Sequence, residues 1–508
     1  MREPPAPAFG ASEIARHRAE RPEGIAILAD PAGEAPQPVT WAAFEDAILD
    51  LAARIAARPG FAPGMRIGWI GPNAPAMLAL LFACARLGAA LVPLNWRLSV
   101  EELRWVERDA GLALLVAGDA VHPFAQDFRA RRPADGLASG DAAPRAGFAG
   151  APGPEAPLLI GYTSGTTGRP KGAVLTQAAF AANAANARAL FDLTAADRVL
   201  TVLPMFHVGG LNIQTVPALL AGAQVLLPPG FDAEGVFDAC AAHRPTLTLL
   251  VPAVMRALIA HPRWARADLS SLRAIGAGSS EIPIALIEVF HARGIPVQQV
   301  YGATETCPIA IAQTRAEALA APGSIGRAAP LCEARIQDAE GRVLPAGAEG
   351  EIAVRGPNVM AGYWNAPEAT AEALRDDGWF RTGDAGRMDE QGRFWFTDRL
   401  KHVIISGGEN IYPAEVERVL LTAPGVAEGA VCARSDARWG EVPVAVVVPG
   451  PGFDRAAVLR HFEGRLARFK QPREVVAVPA LPRTALGKVQ LAELRALASA
   501  PPRGKAQD

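Results

Sequence analysis

Strand-like and helix-like patterns alternate along most of this chain, and that alternation predicts an α/β protein built on parallel sheets with right-handed crossovers. Two further observations complete the outline. Between about residues 323 and 398 the texture changes to short strand patterns separated by turn signals at 340–341, 348–350 and 390–392, which predicts a small antiparallel sheet. After Leu400 small mixed α/β units return. A chain of 508 residues is too long for one hydrophobic core. A large N-terminal domain over 1–400, a small α+β domain over 401–500 and a disordered tail over 501–508 are therefore expected.

Taken in order, Thr40 is a helix N-cap ahead of an apolar-spaced run that reaches Ala57. Residues 65–70 read as a strand, 75–87 as a helix stopped by Gly88, and 89–94 as a strand. Ser99 and Glu102 form a capping box that opens a helix to about Ala110, and 112–117 is a further strand. Residues 131–157, rich in Ala, Gly and Pro, read as a loose connection. More strands are expected at 198–203, 224–227, 246–251, 272–277 and 297–301, with helices between them. Ligands of such sheets bind beyond the carboxyl ends of the strands. The polar stretches 163–172, 276–280 and 302–305 all follow strand-like runs, so they converge on one cleft.

Composition narrows the function. The formal net charge is −2, so no global basic field recruits nucleic acid. The five cysteines (Cys84, Cys240, Cys307, Cys332, Cys432) are odd in number and scattered, which offers neither a disulfide framework nor a Cys-x-x-Cys metal pattern. A reducing, cytoplasmic setting is expected. The start, MREPPAP, lacks a signal-peptide apolar core. The apolar run 74–94 is interrupted by Arg86, Gly88 and Pro93, and reads as a buried helix and strand rather than a membrane span. The eight histidines show no metal-ligand spacing and no Ser-His-Asp arrangement.

The stretch 163–172 (TSGTTGRPKG) is the centre of the reading. Its glycines let the backbone turn tightly and approach a ligand. Hydroxyls and backbone N–H groups offer donors to phosphate oxygens, while Arg169 and Lys171 add positive charge. It is not a Walker A loop, since Pro170 stands before the lysine. A strand leads into it at 158–162 and a helix capped by Thr176 follows to Leu190, which argues against a mere flexible linker. Tyr301 offers a flat face either to a base or to the core.

The set 163–172, 301–306 (YGATET), 381–384 (RTGD), 398–401 (DRLK), 407–413 (GGENIYP) and 482–488 (PRTALGK), in this order, resembles the motifs of the acyl-adenylate-forming enzymes. These are the acyl- and aryl-CoA synthetases, nonribosomal adenylation domains and luciferases. The resemblance runs from about Thr40 to Gln490. It implies a barrel-like form for the small antiparallel sheet, a mobile C-terminal domain, and two half-reactions. A carboxylate displaces pyrophosphate from Mg-ATP to give acyl-AMP, and a thiol then displaces AMP.

The same resemblance implies the site. Thr163, Ser164, Gly165, Thr166, Thr167, Gly168 and Lys171 cradle the phosphates. Gly278, Ser279, Tyr301 and Gly302 belong to the nucleotide pocket, Thr304 contacts the α-phosphate and Glu305 is a Mg²⁺ ligand. Asp384 and Arg399 take the ribose or phosphate. Lys488 bridges the attacking carboxylate and the α-phosphate, and Lys401 is the hinge of the small domain. Ser406, Gly407, Gly408 and Trp439 meet coenzyme A, with 468–472 adding basic and aromatic groups. His402 stands where an acidic residue is common in the family, which is expected to alter the balance between two conformations.

The acyl pocket implied by the resemblance uses His207, Val208, Gly209, Gly276, Ala303 and Cys307. The stretches 207–212, 276–280 and 303–308 hold no Lys or Arg to meet a second carboxylate, and 208–214 holds no Asp to meet an amino group. A monocarboxylic acid with an apolar tail is expected. Gly209 and Gly210 leave room for a medium or long fatty acid, with a cinnamate- or benzoate-type acid as the alternative. Coenzyme A is the expected acceptor and a carrier protein the alternative. A nucleotide-binding regulator without turnover is disfavoured by Lys488 and Glu305. Partners are thus the acid, ATP and coenzyme A, with no nucleic acid, no membrane span, and a second copy of the chain as a candidate.

Overall fold

The structure is a computed structural model that describes residues 8–29, 36–118, 124–125, 131–133, 152–163, 170–278, 282–402, 404–406, 409–436, 439–466, 468–483 and 489–499. The chain falls into two units, one of residues 1–335, 353–382 and 392–394, the other of 336–352, 383–391 and 395–508.

The first unit carries two large sheets. The nine-stranded sheet runs, edge to edge, Arg327–Ala328, Ile311–Ala312, Val297–Tyr301, Ala274–Gly278, Leu247–Leu250, Arg198–Leu200, Gln224–Leu227, Ile25–Ala29 and Gln37–Thr40. Its interior pairs are parallel, and antiparallel strands close both edges. The interior strands are buried, as expected of a sheet covered by crossover helices. The seven-stranded sheet runs Gly362–Tyr363, Lys171–Thr176, Pro157–Thr163, Ala90–Leu94, Arg66–Ile70, Leu114–Ala117 and Arg131–Pro133.

The helix signals act locally as their chemistry dictates. Thr40 caps Trp41–Ala56 by accepting from Ala43 N at 3.1 Å. Ser99 and Glu102 close a reciprocal capping box on Val100–Ala110. Gly88 ends Pro75–Leu87 at φ +63°, a left-handed angle that suits glycine. The apolar run 74–94 is this buried helix followed by the strand Ala90–Leu94. Among the described residues no helix is long and apolar enough to cross a membrane.

Two elements depart from the sequence reading. Arg131–Pro133, inside the stretch read as a loose connection, is an edge strand paired with Leu114–Ala117. Residues 171–176 form a strand rather than a continuation of the polar loop. Lys171 pairs with Thr163, so Pro157–Thr163 and Lys171–Thr176 are the two strands of an antiparallel hairpin. The reason is tertiary. The run Ala173–Val174–Leu175 is buried between Pro157–Thr163 on one side and Gly362–Tyr363 on the other, a pairing that no local period reveals.

A four-stranded sheet runs in the order Glu333–Gln337, Glu349–Arg355, Phe380–Met388 and Phe394–Arg399. A second sheet follows, in the order Glu409–Ile411, Ile404–Ser406, Gly440–Pro449 and Val426–Asp436, with Glu474–Ala477 pairing parallel to Gly440–Pro449. Alternation along its long strands fills two faces. Val431, Ala433, Ala445 and Val447 pack with Val416, Leu420 and Phe462 on one face. Ala430, Cys432, Val444 and Val446 pack with Leu494 and Ala498 on the other.

Candidate functional site

The hairpin, the loop after Val297–Tyr301 and the edge strand Gly362–Tyr363 come together in the first unit. Gly161 sits on the hairpin strand, and a β-carbon there would lie 2.6 Å from Thr304 Cγ2 and 3.4 Å from Val208 Cγ2. Its bare backbone therefore lets Thr304 and Val208 lie against the hairpin base. At that base Thr163 Oγ1 donates to the Lys171 carbonyl at 3.4 Å. Lys171 Nζ lies 5.3 Å from the ring centroid of Tyr363. Tyr363 in turn donates its phenolic O–H to Glu305 Oε1 at 2.8 Å. Burial, then the charge of Glu305 and this hydrogen bond, push the Tyr363 phenol far above its usual range, so it stays a donor.

Glu305 is itself only 8% exposed, and its carbonyl receives Met360 N at 2.8 Å. A buried carboxylate calls for a cation. Among the described residues no group of three or more His, Cys, Asp or Glu is arranged to hold a metal ion. A divalent cation at Glu305 would thus complete its shell with water and the oxygens of a bound polyphosphate, which is the habit of Mg²⁺. The donor set fits a magnesium nucleotide.

The loop that carries Thr304 and Glu305 is built tightly. Thr304–Thr306 is one turn of 3₁₀ helix, and Thr306 Oγ1 accepts from Ala303 N at 2.9 Å. Gly302 cannot be replaced, since a β-carbon would fall 1.8 Å from the Pro308 carbonyl. Tyr301, at the strand end, is half-buried and its carbonyl receives Ala310 N. Asn358 Nδ2 donates to the carbonyls of Thr306 and Ile309 at 2.7 and 2.9 Å, which pins the far side.

Beside this loop lies the expected acyl-pocket segment. His207 is half-buried with its ring 4.5 Å from that of Phe206, and Val208 begins the short helix Val208–Asn212, in which Gly209 is half-buried. Asn212 Nδ2 donates to the Cys307 carbonyl at 2.8 Å and so ties the helix to residue 307. Gly278 lies against the Val300 carbonyl, 2.4 Å from where its β-carbon would stand, and Gly276 lies against Gln214. Burial raises the thiols of Cys84 and Cys307, and pushes those of Cys240, Cys332 and Cys432 up to about 11. None is a thiolate nucleophile at neutral pH.

In the second unit Asp384 is buried at 8% exposure, next to Gly383, whose N–H donates to Glu351 Oε1 at 3.1 Å. Asp398 accepts from Ala414 N at 2.8 Å and faces His402 Nδ1 at 3.7 Å. Ser406 is buried in pairing with Gly440 and Glu409. Trp439 is 39% exposed with the Arg473 guanidinium 6.0 Å from its ring centroid. Arg399 ends the strand Phe394–Arg399 and Lys401 lies in the turn Leu400–His402. Ser164, Gly165, Thr166, Thr167, Gly168, Ser279, Gly407, Gly408 and Lys488, and the side chains of Arg399 and Lys401, lie outside the described residues.

The expected residues Thr163, Lys171, Thr304, Glu305 and Val208 are thus brought together in the first unit. Sequence reasoning missed Tyr363. It follows Gly362 in a two-residue strand too short for any periodic signal.

The family model of the AMP-binding enzyme matches residues 14–364, and that of the AMP-binding enzyme C-terminal domain matches 415–488. An indoleacetate–CoA ligase from Aromatoleum aromaticum is 52% identical over 456 residues, 85% of this chain and 88% of that protein. A feruloyl-CoA synthase from an Amycolatopsis species is 42% identical, covering 90% of this chain and 93% of its own. A solved structure of o-succinylbenzoate CoA synthetase from Bacillus subtilis, in complex with its acyl-adenylate intermediate, superposes with a TM-score of 0.87 at 31% identity, covering 95% of this chain and 97% of that one.

Proposed function

We propose that this chain, which belongs to the AMP-binding enzyme family and is an AMP-forming acid–CoA ligase, activates a monocarboxylic acid whose tail carries an aromatic ring. It uses ATP, Mg²⁺ and coenzyme A. The expectation of a medium or long fatty acid gives way to its alternative. The supporting observation is that the 52% and 42% identical relatives are named for indoleacetate and ferulate. The pocket stretches without Lys or Arg suit an uncharged ring equally well.

We assign the roles as follows. In the first half-reaction a carboxylate oxygen of the acid attacks the α-phosphorus, the bond to the β-phosphate oxygen breaks, and pyrophosphate leaves. Loop 163–172, with Lys171 at its end, holds the departing phosphates. Thr304 steadies the α-phosphate, Tyr301 and Gly302 face the base, Asp384 and Arg399 take the ribose, and Lys488 joins the two anions. Glu305 would hold Mg²⁺, which when bound neutralises charge on the phosphates. In the second half-reaction the thiol of coenzyme A, once deprotonated, attacks the acyl carbon and AMP departs with its oxygen. Residues 1–400 and 401–500 form the large and small domains, with Lys401 the hinge between the two half-reactions and Ser406, Gly407, Gly408 and Trp439 serving the thiol substrate.

The test is a panel of acids, indole-3-acetate, ferulate, phenylacetate, hexanoate and palmitate, assayed by ATP–pyrophosphate exchange and by CoA thioester formation. An aryl acid should exceed both fatty acids in kcat/KM by at least about tenfold, the discrimination that a shaped pocket supplies. A fatty acid at the head of the ranking overturns the reading.

A further inference from the structure

The first unit buries many side-chain amides and satisfies nearly all of them. Gln177 accepts from Phe9 N and donates to the Ala85 carbonyl, both at 2.8 Å. Asn73 bridges Met205 N and the Leu203 carbonyl. Gln298 donates to the carbonyls of Leu190 and Gln313, and Gln313 both accepts from Gln299 N and donates to the Ala321 carbonyl. This is the ordinary condition of a buried polar group.

Gln214 breaks the pattern. It is 1% exposed, yet among the described residues neither its Oε1 nor its Nε2 has a hydrogen-bond partner. A β-carbon on Gly276 would lie 2.9 Å from Gln214 Nε2, 3.0 Å from Leu249 Cδ1 and 3.3 Å from Phe191 Cε1, so the amide is pressed against Gly276 with those two side chains beside it. The hydroxyl of the next residue, by contrast, is bonded twice, to the Gly210 carbonyl and to Thr201 Oγ1, both at 2.8 Å. A second polar atom of the same segment, Asn212 Oδ1, is also buried without a partner. Leaving a donor and an acceptor dry is costly, and proteins retain such groups where a ligand completes them.

The amide abuts Gly276, a residue of the acyl pocket as assigned above, and it lies two residues beyond the helix Val208–Asn212 assigned to that pocket. We propose that Gln214 is a specificity-determining residue that reads a polar atom, a ring N–H or O–H, on the tail of the acid. The amide offers both a carbonyl acceptor and an N–H donor, so it serves either group. The three rotatable bonds of the side chain let it turn from Gly276 to an arriving ring. The chosen substrate is then an aryl acid with a hydrogen-bonding ring rather than a plain hydrocarbon ring. An isosteric ring without that atom enters the same space but leaves the amide unsatisfied and is turned over more slowly.

This inference rests on the aryl reading of the substrate, and the test separates the two. Wild-type protein is assayed first with indole-3-acetate against its benzothiophene analogue, and with 4-hydroxyphenylacetate against phenylacetate. In at least one pair the polar ring should be favoured by about ten- to hundredfold in kcat/KM, the range a buried hydrogen bond supports. In Gln214→Leu and in the near-isosteric Gln214→Met that ratio should fall to within about threefold of unity. The loss should appear mainly in KM for the polar acid, and the thermal midpoint should hold or rise because an unsatisfied amide is gone. If the wild type uses aryl acids but both variants keep its ratio, or lose both members of a pair in parallel, Gln214 only shapes the pocket or holds a buried water, and the inference is overturned. If the wild type uses no aryl acid, the proposed function itself fails and this inference falls with it.

Discussion

The parallel strands of the nine-stranded sheet have two ends, and the two are finished in opposite ways. At the amino ends, Asp197 precedes Arg198–Leu200, Thr246 precedes Leu247–Leu250 and Arg273 precedes Ala274–Gly278. Asp197 accepts from Arg273 Nε at 3.0 Å, Thr246 Oγ1 at 2.7 Å and Thr194 N at 2.9 Å, while Arg273 also donates to the Phe191 carbonyl. At the carboxyl ends of the sheet's parallel strands come His207 and Gln214 after Arg198–Leu200, Gly278 at the end of Ala274–Gly278 with Gly276 just inside it, and Tyr301 to Glu305 at the end of Val297–Tyr301. There a carboxylate is buried with a phenol, and an amide has no hydrogen-bond partner among the described residues. The backbone and its apolar packing are shared, so the contrast is one of side-chain purpose. One end uses its polar groups to close the sheet, and the other leaves them available to a ligand, where open α/β sheets bind.

This contrast breaks if a polar substitution at one end behaves like one at the other. The largest effect belongs to the carboxyl end. Glu305→Gln keeps the size of the side chain and its bond to Tyr363, but removes the charge proposed above to meet a magnesium nucleotide. ATP–pyrophosphate exchange should fall by about 10²–10³-fold in kcat/KM, with the denaturation midpoint unchanged or slightly raised. A comparable loss of stability would mean that Glu305 serves the fold.

The amino end should show the reverse. Asp197→Asn leaves the partly buried Arg273 guanidinium without its counter-charge, and should destabilise by about 2 kcal/mol in urea unfolding with KM for each substrate unchanged. Its pH dependence carries a sign. Burial alone would raise the Asp197 carboxyl, but the hydrogen bonds from Arg273, Thr246 and Thr194 outweigh it and hold the group below its ordinary range. The stability it contributes is therefore present above the ordinary carboxyl pKa of 3.8 and is lost as pH falls through the lower folded value. The gap between wild type and Asp197→Asn should close below about pH 4. A gap that persists into acid would remove the ion pair from the account.

Legibility in the sequence follows the same division. The caps at Thr40, Ser99 and Thr176, the stop at Gly88 and the strand Gln224–Leu227 were readable because their causes are local: a hydroxyl within reach of an N–H, a residue that tolerates positive φ, an apolar run of strand length. Glu305 and Thr304 were singled out by their ordered motif. What escaped depends on contacts distant in sequence. Lys171–Thr176 is a strand because it pairs with Pro157–Thr163 and, on its other side, with Gly362–Tyr363, far along the chain. Gln214 lay two residues beyond the stretch 207–212 assigned to the pocket, and its significance is that a buried amide has no partner among the described residues, a property that exists only after folding.

Tyr363 provides the finest probe of the contrast, because it belongs to the carboxyl-end site while also packing like a structural residue. It is half-buried, its backbone N–H donates to Thr370 Oγ1 at 2.8 Å, and its ring lies beneath Lys171. Tyr363→Phe keeps the ring, the packing and the cation–π contact and deletes only the bond to Glu305. If that phenol merely fills space, substrate kinetics stay as they were. If it holds Glu305 in the rotamer that meets the nucleotide, the deletion frees the carboxylate to turn away. The KM for magnesium ATP should then rise about five- to twentyfold, in line with one hydrogen bond to a charged group, with KM for the acid unaffected and kcat changed by less than about threefold. Titration of Mg²⁺ at fixed ATP should shift in the same direction. An unchanged KM with a lowered unfolding midpoint would move Tyr363 to the structural side and narrow the functional end of the sheet to residues that face the ligand directly.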